Sequence, residues 1–463
     1  MLPPEDDDNG NIEYKLKIIP NSKHRSQQLA TQLKWRLSEG NGKAEYYLGV
    51  YDNGTIGDIS KETLKESIEN IKIICSEINS SIRSVETMEL VVDNIVHNWY
   101  KIKIQNNIEK IQDYRIVFVG PSQSGKSTLV SNLANDIIDD GNGGTRSMIF
   151  NHKHEIYSGI TSSISVEKME ITKKYIKSVY HLIDTPGNKK YLKTTTRCIL
   201  KYKPDLVFLC VNVNKINEKD ILFFYKLINF CNLKYKILLM KTDIVKAKKT
   251  NKAKETITNL INKESGNNQE TIQFINIDNT HEDYEDLLNV LKKVKNHDDL
   301  ENNDIMIQTC KTIKIPNMGK VHIGLTTDKI NIENNYYLSN SEITNKQIKI
   351  DSMFYLDKSI DKISGDKLLT FKLDDKLNIF NKSDIVISNT NIKSYAKLIV
   401  RCKNEIKFNK SICMFNNQYL TVTIERKEDK YELSSETKFI NVSDKIIIRH
   451  NNQNYYCDLI LKC

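Results

Sequence analysis

Eight residues, Gly120-Pro121-Ser122-Gln123-Ser124-Gly125-Lys126-Ser127, constrain this chain more than any other part of it. They spell G-x-x-x-x-G-K-S. An apolar run fit for a buried strand, Ile116–Val119, precedes them, and Leu129, Val130, Leu133 and Ile137 follow at helical spacing. Gly120 and Gly125 let the backbone curl, so that its N–H groups and the helix N-terminus surround a phosphate. Lys126 is placed to reach the terminal phosphates, and the Ser127 hydroxyl to bind Mg²⁺. Ser122, Gln123, Ser124 and Thr128 complete the expected cradle. A chance glycine-rich turn has neither the strand before nor the helix after. The segment therefore predicts an α/β P-loop domain that binds a nucleoside triphosphate.

Two further segments extend that site. His181–Gly187, HLIDTPG, puts Asp184 at the end of an expected strand and Gly187 three residues on. Asp184 is suited to hold Mg²⁺ through water, and the Gly187 N–H to contact the γ-phosphate. Between the two motifs, residues 139–161 are polar, glycine-rich and without a clear period. Such a loop is expected to order around the metal and the γ-phosphate, with the Thr161 hydroxyl as a second metal ligand. His152 and His154 lie in it, but two histidines without further ligands do not make a metal site. Base choice falls to Met240-Lys241-Thr242-Asp243 after the strand KILLM. The Asp243 carboxylate can accept both N1–H and N2–H₂ of guanine, which adenine cannot offer, and the Lys241 stem can cover the ring. Asp278 and Asn279, after the strand Ile272–Ile277, are assigned to the nucleotide as well.

The rest of the chain frames this unit. At 463 residues, with 39% hydrophobic and 27% charged residues, it has material for several cores. No apolar run approaches the ~20 residues of a membrane span. The N-terminus is acidic and polar, unlike a secretory signal, and residues 1–11 are expected to be disordered. Nine cysteines stand singly, which argues against disulfides and structural zinc and for a reducing interior. The net charge of +9 comes from short lysine clusters and fits a solvated surface as well as a polyanion-binding face. Asn, Ile and Lys are abundant throughout, as in an AT-rich genome.

Four folded domains are expected. Residues 12–107 read as a small α/β unit of βαβαβ order, with strands at Glu13–Ile19, Ala44–Val50, Met88–Val92 and Tyr100–Ile104 and helices at Arg25–Leu37 and Lys61–Ile78. Trp35 and Trp99 are read as packing residues. Residues 112–297 alternate strands and helices as a doubly wound, mainly parallel sheet does, with strands at Ile116–Val119, Val179–Ile183, Leu206–Val211, Ile237–Met240 and Ile272–Ile277. Lys292–Asp304 reads as a linker. Beyond it, short β-type runs between Asn, Asp, Lys and Gly predict two β-barrels, 303–392 and a shorter 395–463.

With these residues in hand, the chain resembles a translational GTPase of the elongation factor Tu class, and is similar in particular to the family of GTP-binding proteins 1 and 2. The likeness rests on Gly10–Ile18 with Gln32–Gly54, on His152–Ser163 with Asp184–Thr196, and on Ile315–Thr327, which is similar to the opening of the second-domain barrel. It implies binding of GTP and GDP with Mg²⁺. It also implies hydrolysis of GTP to GDP and phosphate, with Lys126, Thr161, Gly187 and residue 188 at the reacting end. A cytoplasmic monomer acting on the ribosome with tRNA or a related RNA is expected, with no DNA or membrane partner.

Departures from the class gather at the same site. Asn188 stands where the class has the histidine that orients the attacking water, and an amide cannot carry an imidazole's charge. Gln123 stands for an aspartate, Ser122 for a gate valine, and Met240 for the Asn or Thr that opens the guanine motif; Ile160 keeps the other half of the gate. Binding is therefore expected to survive better than turnover. A GTP-dependent RNA- or ribosome-binding switch with little hydrolysis is the competing reading. An ATP-driven P-loop enzyme is disfavoured by Asp243.

Overall fold

The computed structural model describes all residues except 1, 3–9, 21, 41, 93–94, 108–109, 140–142, 174–175, 266–271, 278–280, 296–304, 317–318, 341–342, 375–384 and 417. Most of the expected acidic N-terminus, most of the expected linker, and both Asp278 and Asn279 thus lie outside the described residues. The chain divides into two compact units, 1–112 with 171–178, and 113–170 with 179–463.

In the first unit the elements run β1 (Ile12–Lys15), α1 (Lys23–Glu39), β2 (Lys43–Leu48), α2 (Lys61–Glu77), β3 (Ser80–Val92) and β4 (Ile95–Asn106). Ser22 and Ser60 start the two helices, each accepting an N–H at 3.2 Å from Arg25 and Thr63. The sheet order is β1-β2-β4-β3, with β1 parallel to β2 and the rest antiparallel. Leu64, Ile71, Ile74 and Cys75 of α2 meet Leu29, Leu33 and Leu37 of α1 over the sheet.

Three expectations change here. The last two strands, expected at Met88–Val92 and Tyr100–Ile104, run over Ser80–Val92 and Ile95–Asn106 and pair as a hairpin, so the order is βαβαββ. The strand expected over Glu13–Ile19 ends at Lys15, and the Ile18 N–H donates instead to Ser67 Oγ of α2 at 3.0 Å. Trp99 is buried against Tyr47 and packs as expected, whereas Trp35 is 37% exposed with the Arg36 guanidinium 4.5 Å from its ring. Arg36 itself turns inward to a buried pair with Glu13 at 2.7 Å.

The nucleotide-motif region follows as β5 (Lys110–Val119), α3 (Lys126–Asn135), α4 (Gly144–Ser147), α5 (Lys153–Ser158), β6 (Ser165–Lys173), β7 (Ile176–Asp184), α6 (Leu192–Tyr202), β8 (Leu206–Asn212), α7 (Glu218–Phe230), β9 (Tyr235–Met240), α8 (Ala247–Ser265), β10 (Phe274–Ile277) and α9 (His281–Leu291). The sheet order is β10-β9-β8-β5-β7-β6, and β5, β8, β9 and β10 run parallel. Val117, Val119, Val207, Leu209, Ile237 and Leu239 are buried, as central parallel strands require. β6 was not anticipated: its sequence, SVEKMEITK, carries four charged residues and suits the edge it occupies. The loop expected over 139–161 holds the two short helices α4 and α5.

Residues Ile305–Ser388 form an eight-stranded sheet whose paired strands are all antiparallel and which wraps one core, since Ile348 and Tyr336 near one end of the strand order meet Met353 and Phe371 near the other. The last six strands, Ser394–Lys462, close into a barrel. There the cysteine expectation fails. Cys402 and Cys457 are joined in a disulfide, paired directly across neighbouring strands although 55 residues apart. Barrel closure creates that proximity, and spacing in sequence cannot show it. No described helix is long and apolar enough to cross a membrane.

A buried ion pair ties β5 to the eight-stranded sheet. Arg115, 1% exposed, lies 2.6 Å from Asp366 and 3.5 Å from Asp205. Nearby Asp113 accepts from Tyr355 at 2.9 Å. Arg115→Ala removes the cation shared by buried Asp205 and half-buried Asp366 and is expected to destabilise the chain by about 3–5 kcal/mol, read as a lower urea midpoint.

Candidate functional site: a phosphate cavity and an adjoining base cavity

The loop after β5 is shaped by three left-handed residues, Gly120, Gln123 and Gly125, at φ 145°, 64° and 96°. A Cβ on Gly120 would sit 2.2 Å from the Cys210 carbonyl oxygen of β8, so glycine is required there. Lys126 folds back across the loop and its Nζ donates to the carbonyls of Gly120 and Pro121 at 3.0 and 2.9 Å and to Ser124 Oγ at 3.3 Å. Burial lowers its pKa, and Asp184 works against that. Gly187 closes on the same loop: a Cβ there would lie 2.4 Å from Gly120 O and 2.7 Å from Lys126 Nζ. The D-x-x-G segment reaches the loop because β7 is the sheet neighbour of β5.

Behind the loop, three residues read as metal ligands converge. Ser127 Oγ lies 2.7 Å from Thr161 Oγ1 and donates to Asp184 Oδ2 at 2.5 Å, while Thr161 Oγ1 is 3.5 Å from the same oxygen. Asp184 is fully buried, and its Oδ1 has no hydrogen-bond partner among the described residues. Burial pushes its carboxyl up to about 6, against the pull of Lys126 and Ser127. Two hydroxyls and a carboxylate with a free buried oxygen fit a hard, oxygen-seeking cation such as Mg²⁺.

Two cavities meet at this loop. Ser122, Gln123, Gly125, Lys126, Ser127, Thr128, Thr161 and Gly187 all line the smaller, of about 40 Å³. The larger, about 330 Å³, shares Gly125 and Thr128 and is lined by Lys241 and Asp243. Met240 lines the larger cavity, its Cε 3.1 Å from where a Gly125 Cβ would be. An apolar contact thus stands where the class has a polar one. Gly120 and Ser124 sit behind the phosphate cavity as supports. Asn188 lines neither; its side-chain oxygen accepts the Lys190 N–H at 3.0 Å and caps a single helical turn, Lys189–Tyr191.

Comparison with known proteins agrees with this geometry. Residues 112–323 match the elongation factor Tu GTP binding domain. This chain carries a GTP-binding domain of the elongation factor Tu type. GTP-binding protein 2 of Mus musculus is 36% identical over 236 residues, which are 46% of this chain and 38% of that protein. The chain thus spans well under half the length of that relative. In fold, the chain is similar to the bacterial selenocysteine-specific elongation factor EF-Sec, with a TM-score of 0.62 at 16% identity, over 75% of this chain and 58% of that one. It is also similar to the GTPase-like domain of S. cerevisiae Ski7, bound to GDP and inorganic phosphate, with a TM-score of 0.60 at 15% identity, over 77% of this chain and 98% of that one.

Several residues of the GTP-binding domain were not visible as motif members. Tyr284 of α9 lines the base cavity and accepts from Asn132 Nδ2 at 2.7 Å. Ile244 and Asp139 line it too. Glu155, on α5, is the buried hub of the loop before Thr161. It accepts the Asn151 and His152 N–H groups at 3.0 Å each, the Ser162 N–H at 2.7 Å and the Ser163 N–H at 2.9 Å. The only hint in sequence was a lone acid in a polar stretch. His154, weighed as a metal ligand, bonds Ser162 Oγ at 2.8 Å.

Burial would raise the Glu155 carboxyl, but the Ser162 and Ser163 donors outweigh it and hold it at about 2, below its usual 4.5. A lowered folded-state pKa gives stability that is present above about 4.5 and lost as pH falls toward about 2. Glu155→Gln is therefore expected to cost about 1.5–3 kcal/mol at pH 7. Hydrogen exchange of the 151–163 amides should speed up in the variant at neutral pH, and the gap should close on acidification through that window.

Proposed function

We propose that this chain is an elongation-factor-like translational GTPase that hydrolyses GTP to GDP and phosphate and acts on the ribosome with tRNA or a related RNA. One observation carries the catalytic half of this reading: Ser127, Thr161 and Asp184 converge within hydrogen-bond reach directly behind Lys126 and Gly187. The ribosomal half rests on the likeness in fold to an elongation factor. The reading places the protein in the cytoplasm as a monomer, with domains at 12–107, 112–297, 303–392 and 395–463.

In the mechanism, the loop N–H groups and Lys126 hold the triphosphate chain, and Gly187 offers its N–H to the γ-phosphate. Ser127, Thr161 and Asp184 would hold Mg²⁺, which supplies positive charge to the β- and γ-phosphate oxygens. Asp243 reads the guanine edge while Lys241 covers the ring. Asn188, with its oxygen engaged as a cap, keeps its NH₂ to orient the attacking water.

That cap favours one second reading. With the Asn188 oxygen already satisfied, GTP binding can order the Thr161 loop without efficient turnover, giving an RNA- or ribosome-binding switch. Ribosome-stimulated phosphate release separates the two, since the switch binds GTP but releases little phosphate.

Binding of GTP, GDP and ATP in Mg²⁺ tests both. Guanine nucleotides are expected to bind in preference to ATP, and Lys126→Ala and Asp243→Ala each to weaken binding by about 10–100-fold, the loss of a charge-assisted contact. No nucleotide binding by the intact chain would overturn both readings. Asn188→Ala is expected to lower stability by about 1 kcal/mol through the lost cap. It should also slow hydrolysis by about 10²-fold if the amide orients water. A lower melting point with unchanged hydrolysis would leave Asn188 as a cap alone.

A further inference from the structure

Arg146 is common to both cavities, and none of the nucleotide motifs assigns it a role. It projects from α4, whose backbone is pinned to the P-loop helix α3. The neighbouring Thr145 is buried, its carbonyl accepts from Ser131 Oγ of α3 at 2.5 Å, and its hydroxyl donates to Asp139 at 2.7 Å. The guanidinium occupies a slot between two left-handed glycines, Gly143 and Gly159, at φ 82° and 62°. A Cβ on Gly143 would come within 2.7 Å of its Nε, and one on Gly159 within 3.2 Å of its Nη2. A side chain at Gly143 would displace the guanidinium, and one at Gly159 would press against it. Gly159 lies two residues before Thr161, so the slot opens onto the γ-phosphate end of the cavity, beside Lys126 and Gly187.

An arginine brings five N–H donors in a rigid fork and is always charged. Among the described residues no hydrogen bond or ion pair takes up those of Arg146. A surface arginine with a purely structural role usually finds a carboxylate or a carbonyl. Here the fork faces a cavity built for phosphate oxygens.

Resting on the GTP reading above, we propose that Arg146 is a catalytic residue that contacts the γ-phosphate and supplies, within the same chain, positive charge to its transferring oxygens. In the step it serves, the water oxygen bonds to the γ-phosphorus and the bond from that phosphorus to the β–γ bridging oxygen breaks. The bonding pair stays on the β-phosphate of GDP, and the water proton leaves with inorganic phosphate. Arg146 exchanges no proton. It offsets the charge that builds on the γ-oxygens, a task the neutral Asn188 amide cannot share.

The test compares affinities of the full chain for the non-hydrolysable β,γ-imido analogue of GTP and for GDP, in Mg²⁺, with Arg146→Ala and Arg146→Lys. Arg146→Ala is expected to weaken the analogue by about 10–100-fold, the range of one charge-assisted contact, and GDP by less than about threefold. Arg146→Lys should recover part of the loss, since it keeps the charge without the fork. Where the intact chain turns GTP over, its single-turnover rate should fall by about 10³-fold in Arg146→Ala. Equal weakening of both nucleotides would move the contact to the α- or β-phosphate and overturn the assignment. Unchanged affinities in a variant with the parent melting temperature would overturn it outright. Failure of the intact chain to bind either nucleotide would instead sink the GTP reading itself.

Discussion

A carboxylate and an ammonium buried on the same side of one sheet govern this site. Asp184 and Lys126 are taken from water where β7 and β5 end side by side, and burial moves both toward neutrality. Each is tolerated because polar groups close around it: two carbonyls and a hydroxyl for Lys126, two hydroxyls for Asp184. That arrangement fixes the loop, gathers Ser127 and Thr161 on Asp184 Oδ2, and leaves Asp184 Oδ1 without a hydrogen-bond partner among the described residues. Buried and only partly compensated, the two groups suit a partner that brings both negative oxygens and a hard cation.

The same unit carries structure from the phosphate cavity into the β-rich region. α6 begins shortly after Gly187, and its Lys193 and Arg197 stack on Tyr419 of the closed barrel, with the charged ends 3.9 and 4.8 Å from the ring centre. One apolar core spans the central sheet, α6, α7, and Met414 and Ile447 of the barrel. Arg115 joins β5 to Asp366 of the eight-stranded sheet. Elements that carry the nucleotide motifs are thus in direct contact with both β modules.

Legibility followed the range of the interactions. The central strands, the P-loop, D-x-x-G and the residues after β9 were readable because each rests on local periodicity or on a motif of a few residues. Elements that depend on distant partners were misread or missed. The full length of the β3–β4 hairpin, Ser80–Val92 against Ile95–Asn106, is set by cross-strand pairing and not by local pattern. β1 stops at Lys15 because Ser67, far along the chain, captures the Ile18 N–H. Cys402 and Cys457 looked like unrelated single cysteines until barrel register set them opposite one another. Trp35 suits packing by residue type, yet its neighbour Arg36 turns inward to Glu13 and the ring stays partly outside.

What the sequence by itself determined is the set of residue types at short spacing: a G-x-x-x-x-G-K-S loop, hydroxyls and a carboxylate of the kinds that suit a divalent cation, and a carboxylate of the kind that suits guanine. These follow from residue type and short spacing, which survive in any arrangement of the remaining chain. Only the tertiary structure decided which groups meet. Sheet order placed Asp184 beside Ser127, the pinning of Thr145 set Arg146 over the cavity, and the short turn after Gly187 engaged the Asn188 oxygen as a cap. Each of these depends on contacts between segments that local pattern does not link, and such contacts are fixed only when the whole core packs.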